Sequence, residues 1–193
     1  LSQADASDPD TLARAMQLVR KINHSGRMYQ VYQRNGSANL YPWEFDRMQL
    51  KPGERILDAG CGVGMIWRHS WERIPESLQV DLMDLHENDL TKLQTYYRER
   101  KNLLAPGVQL SFRHENVETA ALDGGYDQIL MAFVMNYLEH TQETLRKINH
   151  SLVPGGILNV VMDYDTQMLE EMDALYQSFS ETTCLGSRIA KKK

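Results

Sequence analysis

Asp58, Gly60, Gly62 and Gly64 fall within ten residues, Arg55-Ile56-Leu57-Asp58-Ala59-Gly60-Cys61-Gly62-Val63-Gly64. An apolar run ends in an acid, and three glycines follow at alternate positions. Glycine takes positive φ readily and has no Cβ, so a ligand can lie directly against such a backbone. A second acid, Asp84, closes the run Val80-Asp81-Leu82-Met83. A carboxylate there can accept hydrogen bonds from two vicinal ribose hydroxyls, a charge-assisted contact. Together the turn and the acid point to recognition of a nucleoside.

The glycine spacing narrows the ligand. A phosphate-binding loop needs a lysine after its last glycine, and none follows here. A dinucleotide turn, Gly-x-Gly-x-x-Gly, would put its third glycine at Met65. A methionine there hinders close approach of backbone to a pyrophosphate. The observed spacing suits a ligand that lies along the turn without a diphosphate. NAD and S-adenosylmethionine both carry the ribose, so Asp84 supports a nucleoside without choosing one.

The elements around these residues must deliver them to one crevice. Residues 55–58 read as a buried strand, the glycines as a tight turn, and residues 64–73 as a helix ending before Pro75. Gln79–Asp84 reads as a second strand, and Asn88–Asn102 has helical spacing through Leu90, Leu93 and Tyr97. Val108, Leu110 and Phe112 alternate as a third strand. Tyr126–Phe133 is nearly continuously apolar, as in a strand covered on both faces. Thr141–Leu152 reads as a helix stopped by Pro154-Gly155-Gly156, Ile157–Met162 as a fifth strand, and Asp165–Phe179 as a helix. This alternation predicts an α/β, Rossmann-like, doubly wound and mostly parallel sheet with helices on both faces. In such a sheet, ligands bind beyond the C-terminal strand ends, where the strand order reverses. Upstream, residues 12–22 read as a helix, and residues 24–50 carry Tyr29, Tyr32, Tyr41, Trp43 and Phe45 among glycines and a proline. Residues 1–50 read as a helical cap segment, and residues 51–193 as the ligand-binding domain.

Composition bounds the function classes. The net charge of −5 argues against general nucleic-acid binding, which leaves a basic footprint. No apolar run approaches the roughly 20 residues of a membrane span. The acidic N-terminal stretch lacks a secretory pattern, and two cysteines, Cys61 and Cys184, suggest neither a disulfide framework nor a zinc site. A cytoplasmic protein without a metal is expected.

Ile56-Leu57-Asp58-Ala59-Gly60-Cys61-Gly62-Val63-Gly64 resembles the first motif of class I S-adenosylmethionine-dependent methyltransferases. Met83-Asp84-Leu85-His86-Glu87-Asn88 resembles their second, and Tyr126-Asp127-Gln128-Ile129-Leu130 their fourth-strand motif. Leu145-Arg146-Lys147-Ile148 through Leu152-Val153-Pro154-Gly155-Gly156-Ile157-Leu158 resembles the helix, turn and fifth strand. The resemblance covers about residues 53–163 and implies S-adenosyl-L-methionine as cofactor and S-adenosyl-L-homocysteine as product. It implies that Asp58, Gly60, Cys61 and Gly62 border the methionine part, and that Gly64 lets the helix start close to the adenosine. It further implies that Asp84 holds the ribose and that Leu85 packs on the adenine. Asn116 and Val117 match the family's adenine-contacting pair, with Glu115 an alternative one residue earlier. Met135, Asn136 and Tyr137 follow strand four, where cofactor and acceptor pockets meet; Tyr29, Tyr32 and Trp43 would serve the acceptor.

Methyl transfer from a sulfonium is an in-line displacement, so alignment and exclusion of water come first. A general base is needed only where the acceptor must lose a proton; His140, Tyr32 and His24 are the candidates, each with a structural role as the alternative. His86 borders the adenine side. Asp163 could orient a substrate or cap the next helix. The family ends in an antiparallel strand pair, and no alternating run follows Phe179; Gly186–Lys191 resembles the helix before that pair. A missing final pair, by truncation or replacement, is therefore expected, and its open sheet edge would allow a homodimer. The leading reading is a methyltransferase acting on a small molecule at oxygen, nitrogen or carbon. The alternatives are methylation of a protein or RNA, and a non-catalytic cofactor-binding module.

Overall fold

The computed structural model describes residues 40–161, 183–185 and 188–190. The calls on residues 12–22, His24, Tyr29, Tyr32, Asp163 and residues 165–179 lie outside them. Two units are distinguished, Leu1–Trp43 and Glu44–Lys193. Everything below on packing concerns the second.

The first described helix, α1, spans Leu40–Met48. Pro42 is tolerated because it sits in the first turn, where a backbone N–H has no helical partner. Glu44, Phe45 and Met48 are buried, while Asp46 and Arg47 are exposed. Strand β1, Arg55–Ala59, alternates between two covered faces. Ile56 and Asp58 point to one side, and Leu57 and Ala59 join the main hydrophobic cluster on the other.

After the glycine turn, α2 is only Met65–Arg68. The helix expected over 64–73 is broken at Ser70, whose φ of −130° is not helical, and resumes as one 3-10 turn, Trp71–Arg73. Strand β2 is Gln79–Asp84. Helix α3, Glu87–Arg100, buries Leu90 and Leu93. Strands β3, Gln109–His114, and β4, Tyr126–Ala132, follow. Helix α4, Thr141–Ser151, buries Thr144, Leu145, Ile148 and Ser151. That is the spacing of one helical face.

Strand β5 spans Leu152–Val161. The Pro154-Gly155-Gly156 stretch is therefore not a turn ahead of the strand but an irregularity inside it. Leu152 pairs with Tyr126, the register slips, and pairing resumes at Ile157 with Gln128. Gly156 is needed there, because a Cβ would lie 2.9 Å from the Val153 carbonyl oxygen and 3.1 Å from that of Tyr126.

β1 pairs in parallel with β2 and β4, β2 with β3, and β4 with β5. The expectation that the final antiparallel pair is missing is wrong. Strands β6, Thr183–Leu185, and β7, Arg188–Ala190, pair with each other, and β7 runs antiparallel along β5. The segment expected as a helix from Gly186 holds β7 instead. The sheet order is β3-β2-β1-β4-β5-β7-β6. The outer edge of β5 is thus covered, which removes the reason for expecting a dimer through it.

Strand order reverses between β1 and β4. Right-handed crossovers then send the connections on the two sides of that point to opposite faces of the sheet. The reversal opens the crevice at the C-terminal ends of β1 and β4, where the glycine turn begins.

Candidate functional site

The glycine turn is held by the strand beside it. The N–H groups of Gly60 and Cys61 both donate to the Met83 carbonyl, at 2.8 and 2.9 Å. The Gly62 N–H donates to Asp84 Oδ2 at 2.7 Å. Gly64 N–H closes the turn on the Cys61 carbonyl at 2.8 Å. The two motifs separated in sequence are therefore one hydrogen-bonded unit.

All three glycines have positive φ, 90°, 52° and 71° in order. They serve different ends. A Cβ on Gly60 would lie 2.3 Å from Val134 Cγ2, and one on Gly64 would lie 2.5 Å from Leu93 Cδ1. Those two allow the segment after β4 and helix α3 to close on the turn. A Cβ on Gly62 would meet nothing within 4 Å. Only Gly62 leaves open space, which is the condition for a ligand against the backbone.

Asp84 is 8% exposed. Besides Gly62, it accepts the His86 N–H at Oδ1, 2.7 Å, and its Oδ1 lies 3.2 Å from His86 Nδ1. A carboxylate has about four acceptor sites. The two backbone donors fix its orientation and leave acceptor capacity for other donors. Leu85, next to it, is 47% exposed.

Asp58 is more deeply set. The Trp67 indole N–H donates to its Oδ2 at 2.7 Å, while Oδ1 is buried without a hydrogen-bond partner. Burial, reinforced by the charge of Asp84 and opposed by the indole bond, raises its pKa to about 7. Cys61 is a free thiol. Burial, with Asp58 and Asp84 nearby, pushes its pKa well up, so it stays a thiol and not a nucleophilic thiolate.

The segment after β3 is tied to the same crevice by the Glu115 N–H, which donates to the Asp84 carbonyl at 3.2 Å. Glu115 itself is held by Arg113 through both oxygens, at 2.8 and 3.0 Å. Asn116 Oδ1 accepts the Glu118 N–H at 2.9 Å, and Val117 is buried in the main cluster. Of the two candidates for the adenine contact, Asn116 is therefore the one whose side chain is not already clamped by an arginine.

Beyond β4, Phe133 adopts φ of 57°, which is rare for a bulky side chain and concentrates at functional sites. The 3-10 turn Met135–Tyr137 follows, with Met135 buried and Asn136 exposed. His140 immediately precedes α4, is exposed, and donates its backbone N–H to Glu118 Oε1 at 2.6 Å. Trp43 is half exposed and belongs to the other unit.

One residue escaped the sequence reading. Glu44 in α1 is 3% exposed, and neither of its carboxylate oxygens has a hydrogen-bond partner. Burial, with the charge of Asp58, raises its pKa to about 8. In sequence it looks like an ordinary helix acid between Trp43 and Phe45, and only packing reveals it. Among the described residues, no group of three His, Cys, Asp or Glu is placed to hold a metal ion. No helix among them is long and apolar enough to cross a membrane.

This crevice has open space for a nucleoside along Gly62 and Asp84, with one unpartnered oxygen of Asp58 at the end of β1. The open space at Gly62 and the orphaned Asp58 oxygen fit S-adenosylmethionine, which carries a ribose, a cationic sulfonium and an α-ammonium donor. The comparisons agree. A malonyl-[acyl-carrier protein] O-methyltransferase of Bacillus cereus is 26% identical over 184 residues, covering 91% of this chain and 65% of that protein. The chain thus spans less than two thirds of that relative. A ubiquinone/menaquinone biosynthesis C-methyltransferase of Neisseria meningitidis is 25% identical over 181 residues, covering 90% of this chain and 71% of that protein. Among solved structures, coclaurine N-methyltransferase bound to N-methylheliamine and S-adenosylhomocysteine superposes with a TM-score of 0.54. It has 22% identity and covers 63% of this chain and 34% of that one, a likeness of fold. The methyltransferase-domain family profile matches residues 57–158, more than half of the sequence, and the chain belongs to the class I S-adenosylmethionine-dependent methyltransferases.

Proposed function

We propose that this chain transfers a methyl group from S-adenosylmethionine to an oxygen, nitrogen or carbon atom of a small molecule. The observation that carries the reading is the single unit made by Gly62 and Asp84, an open backbone position bonded to the acid beside it. When bound, the cofactor supplies a methyl group on a sulfonium, already activated for displacement.

The chain's own residues bind and orient. Asp84, fixed by two backbone N–H groups, accepts the ribose hydroxyls with its remaining lone pairs. Leu85 gives apolar surface to the adenine, with Asn116 and Val117 on its other side. Asp58, Gly60 and Cys61 border the methionine part. Met135, Asn136 and Tyr137 line the approach of the acceptor. Where the acceptor atom carries a proton, His140 is the candidate base among the described residues. The compact acidic chain supports a small acceptor over a nucleic acid. The named relatives span O-, C- and N-methyltransferases, so the acceptor atom is a matter for experiment.

Calorimetry with S-adenosylmethionine, S-adenosylhomocysteine and NAD tests the cofactor. Saturable binding of the first two and none of NAD is expected; the reverse would overturn the reading. A panel of carboxylic acids, phenols, amines and activated carbon acids, assayed for S-adenosylhomocysteine release, then tests turnover. Tight cofactor binding with no product across small acceptors, but product with a protein or RNA, would move the acceptor to a macromolecule.

A further inference from the structure

A cavity of about 300 Å³ lies where the stretch after α2 crosses the C-terminal half of α3, and it shares no residue with the crevice at Gly62 and Asp84. Its scaffold is aromatic. Trp71, buried just beyond the break at Ser70, meets Tyr96 edge-on with centroids 5.3 Å apart and Tyr97 at 6.2 Å. Three arginines, Arg68, Arg73 and Arg100, line the cavity against one acid, Glu72, in a chain whose net charge is −5.

Two of these guanidinium groups share one ring. Arg68 lies over Tyr96 at 4.5 Å from the centroid, and Arg100 at 4.2 Å. Like charges repel, and a cation–π contact at a partly exposed site is only a weak attraction. A guanidinium laid over a ring keeps the N–H donors of its edge directed outward. Arg100 pairs with Glu99 and Arg73 with Asp46, but the side chains of both pairs are about half exposed. Such pairs are weak and give way to a better anion. Arg68 has no ion pair and no side-chain hydrogen bond among the described residues.

Arginines also gather at helix C-termini, where they offset the dipole. The dipole does not account for these. Helix α2 has only four residues, and the two end carbonyls already have neutral donors. The Tyr96 hydroxyl donates to the Arg68 carbonyl at 3.2 Å, and the Trp71 indole N–H to the Arg100 carbonyl at 3.1 Å. We propose that the cavity binds the phosphate group of a small soluble phosphate monoester. This goes beyond methyl transfer and does not rest on it. A carboxylate has one charge and two oxygens, enough for one guanidinium fork. A phosphate monoester carries nearly two charges and three acceptor oxygens, and serves several arginines at once. Leu103, exposed in the lining, gives apolar surface to the organic group. The volume is at the small end for ligand sites, which suits a compact ester.

The test is calorimetry at fixed ionic strength with phenyl phosphate, benzoate and polyglutamate as probes, against the wild-type chain, Arg68→Ala, Asp46→Asn and Glu143→Gln. Melting curves establish that each variant is folded. The wild-type chain should bind phenyl phosphate saturably, one per chain, and prefer it to benzoate by roughly 10-fold, as for an added charged hydrogen bond. Arg68→Ala should lose about 10-fold in phenyl phosphate affinity. Asp46→Asn frees Arg73 and should gain roughly 2- to 5-fold, the worth of one exposed ion pair. Glu143→Gln removes the same charge on α4, outside the cavity lining, and should change nothing. No saturable binding to the wild-type chain would overturn the proposal, as would an affinity indifferent to Arg68→Ala. Should Arg68→Ala not fold, Asp46→Asn decides: an affinity unchanged or weakened there, or raised equally by Glu143→Gln, sinks the phosphate site. Saturable binding of polyglutamate without binding of phenyl phosphate would assign the cavity to an acidic protein and overturn the small-ligand proposal.

Discussion

Asp58 and Asp81 stand on adjacent strands, Asp58 paired with Leu82 and Asp81 with Leu57, yet their surroundings are opposite. Asp81, one register position nearer the strand starts and on the opposite face of the sheet, is joined to Arg55 and Tyr126, which begin β1 and β4, and is surrounded by donors. Tyr126 Oη donates to its Oδ2 at 2.8 Å, Arg55 Nη2 to the same oxygen at 3.2 Å, and Ser111 Oγ to Oδ1. Arg55 also stacks on Tyr126 at 4.4 Å and donates to the Gly124 carbonyl at 2.8 Å. Although burial opposes it, these donors hold the Asp81 carboxyl below the usual range. Asp58, at the crevice, has one donor and an orphaned oxygen, and its carboxyl is pushed up to about 7. One acid closes a finished network; the other is left incomplete. Buried polar groups are normally paired, so an unpaired acceptor at the strand end beside the glycine turn supports the ligand-binding reading.

That contrast can be broken most severely at Gly62. Gly62→Val fills the only glycine position of the turn that faces open space. Cofactor affinity should fall by more than about 100-fold, equivalent to roughly 3 kcal/mol. Stability should fall by only about 1–2 kcal/mol, for a side chain in the left-handed region. Calorimetry and thermal melts read the two effects separately. Retained binding would mean that the ligand does not approach the turn there.

Asp84→Ala comes next. Loss of charged hydrogen bonds to the ribose should weaken the cofactor by about 1.5–3 kcal/mol. Asp81→Ala is its counterpart: it should lower the melting temperature and leave affinity unchanged. If both variants lose affinity alike, the two ends of the sheet are not functionally distinct.

How much of this was legible in the sequence follows from the same physics. Strands β1, β2 and β4 were read to within a residue because strands covered on both faces are continuous apolar runs, and β1 and β2 lead directly into the site acids. The site's backbone half was legible for the same reason, since glycine spacing is local. Residue roles that depend on packing were not. Glu44 looks like a solvent-facing helix acid until α1 packs Phe45 against Trp67. The reasons for Gly60 and Gly64, Val134 and Leu93, lie far along the chain. The β6–β7 pair was missed because strands of three residues show no alternation. The available signal was Gly186-Ser187 between Thr183–Leu185 and Arg188–Ala190, two residues of a type that favours tight hairpins. The Pro154-Gly155-Gly156 stretch misled in the other direction, since breaker residues inside a bulged strand look like its start.

The two acids should also titrate in opposite senses. Asp58 has an ordinary value of 3.8 and a folded value near 7, and Glu44 goes from 4.5 to about 8. Between those limits the folded chain keeps protons that the unfolded chain has lost, so stability falls as pH rises from about 4 to about 8. The cofactor-free protein should lose stability across that window, and Asp58→Asn should flatten the loss. For Asp81 the sign is reversed: its folded pKa is lowered, so its contribution is present above its unfolded value and is lost on acidification through the folded one. Denaturant melts across pH 4–9, with and without S-adenosylhomocysteine, measure both. A slope unaffected by Asp58→Asn would place the titration elsewhere.

The smallest effect is expected from Tyr126→Phe, and it tests the finished end alone. The change removes one hydroxyl and keeps the ring, so Arg55 can still stack on it and the buried core it belongs to is undisturbed. Asp81 Oδ2 retains Arg55 and Oδ1 retains Ser111, so no oxygen is orphaned. The loss should therefore be that of one hydrogen bond to a charged acceptor with its partner still satisfied, about 1 kcal/mol. Because the lost bond favours the ionised acid, the Asp81 pKa should rise and its acid-side contribution shrink. Affinity for S-adenosylhomocysteine should be unchanged, since the network lies away from the glycine turn. A loss of several kcal/mol, or any loss of affinity, would show that the two ends of the sheet are coupled through β1 and are not the independent regions their hydrogen bonding implies.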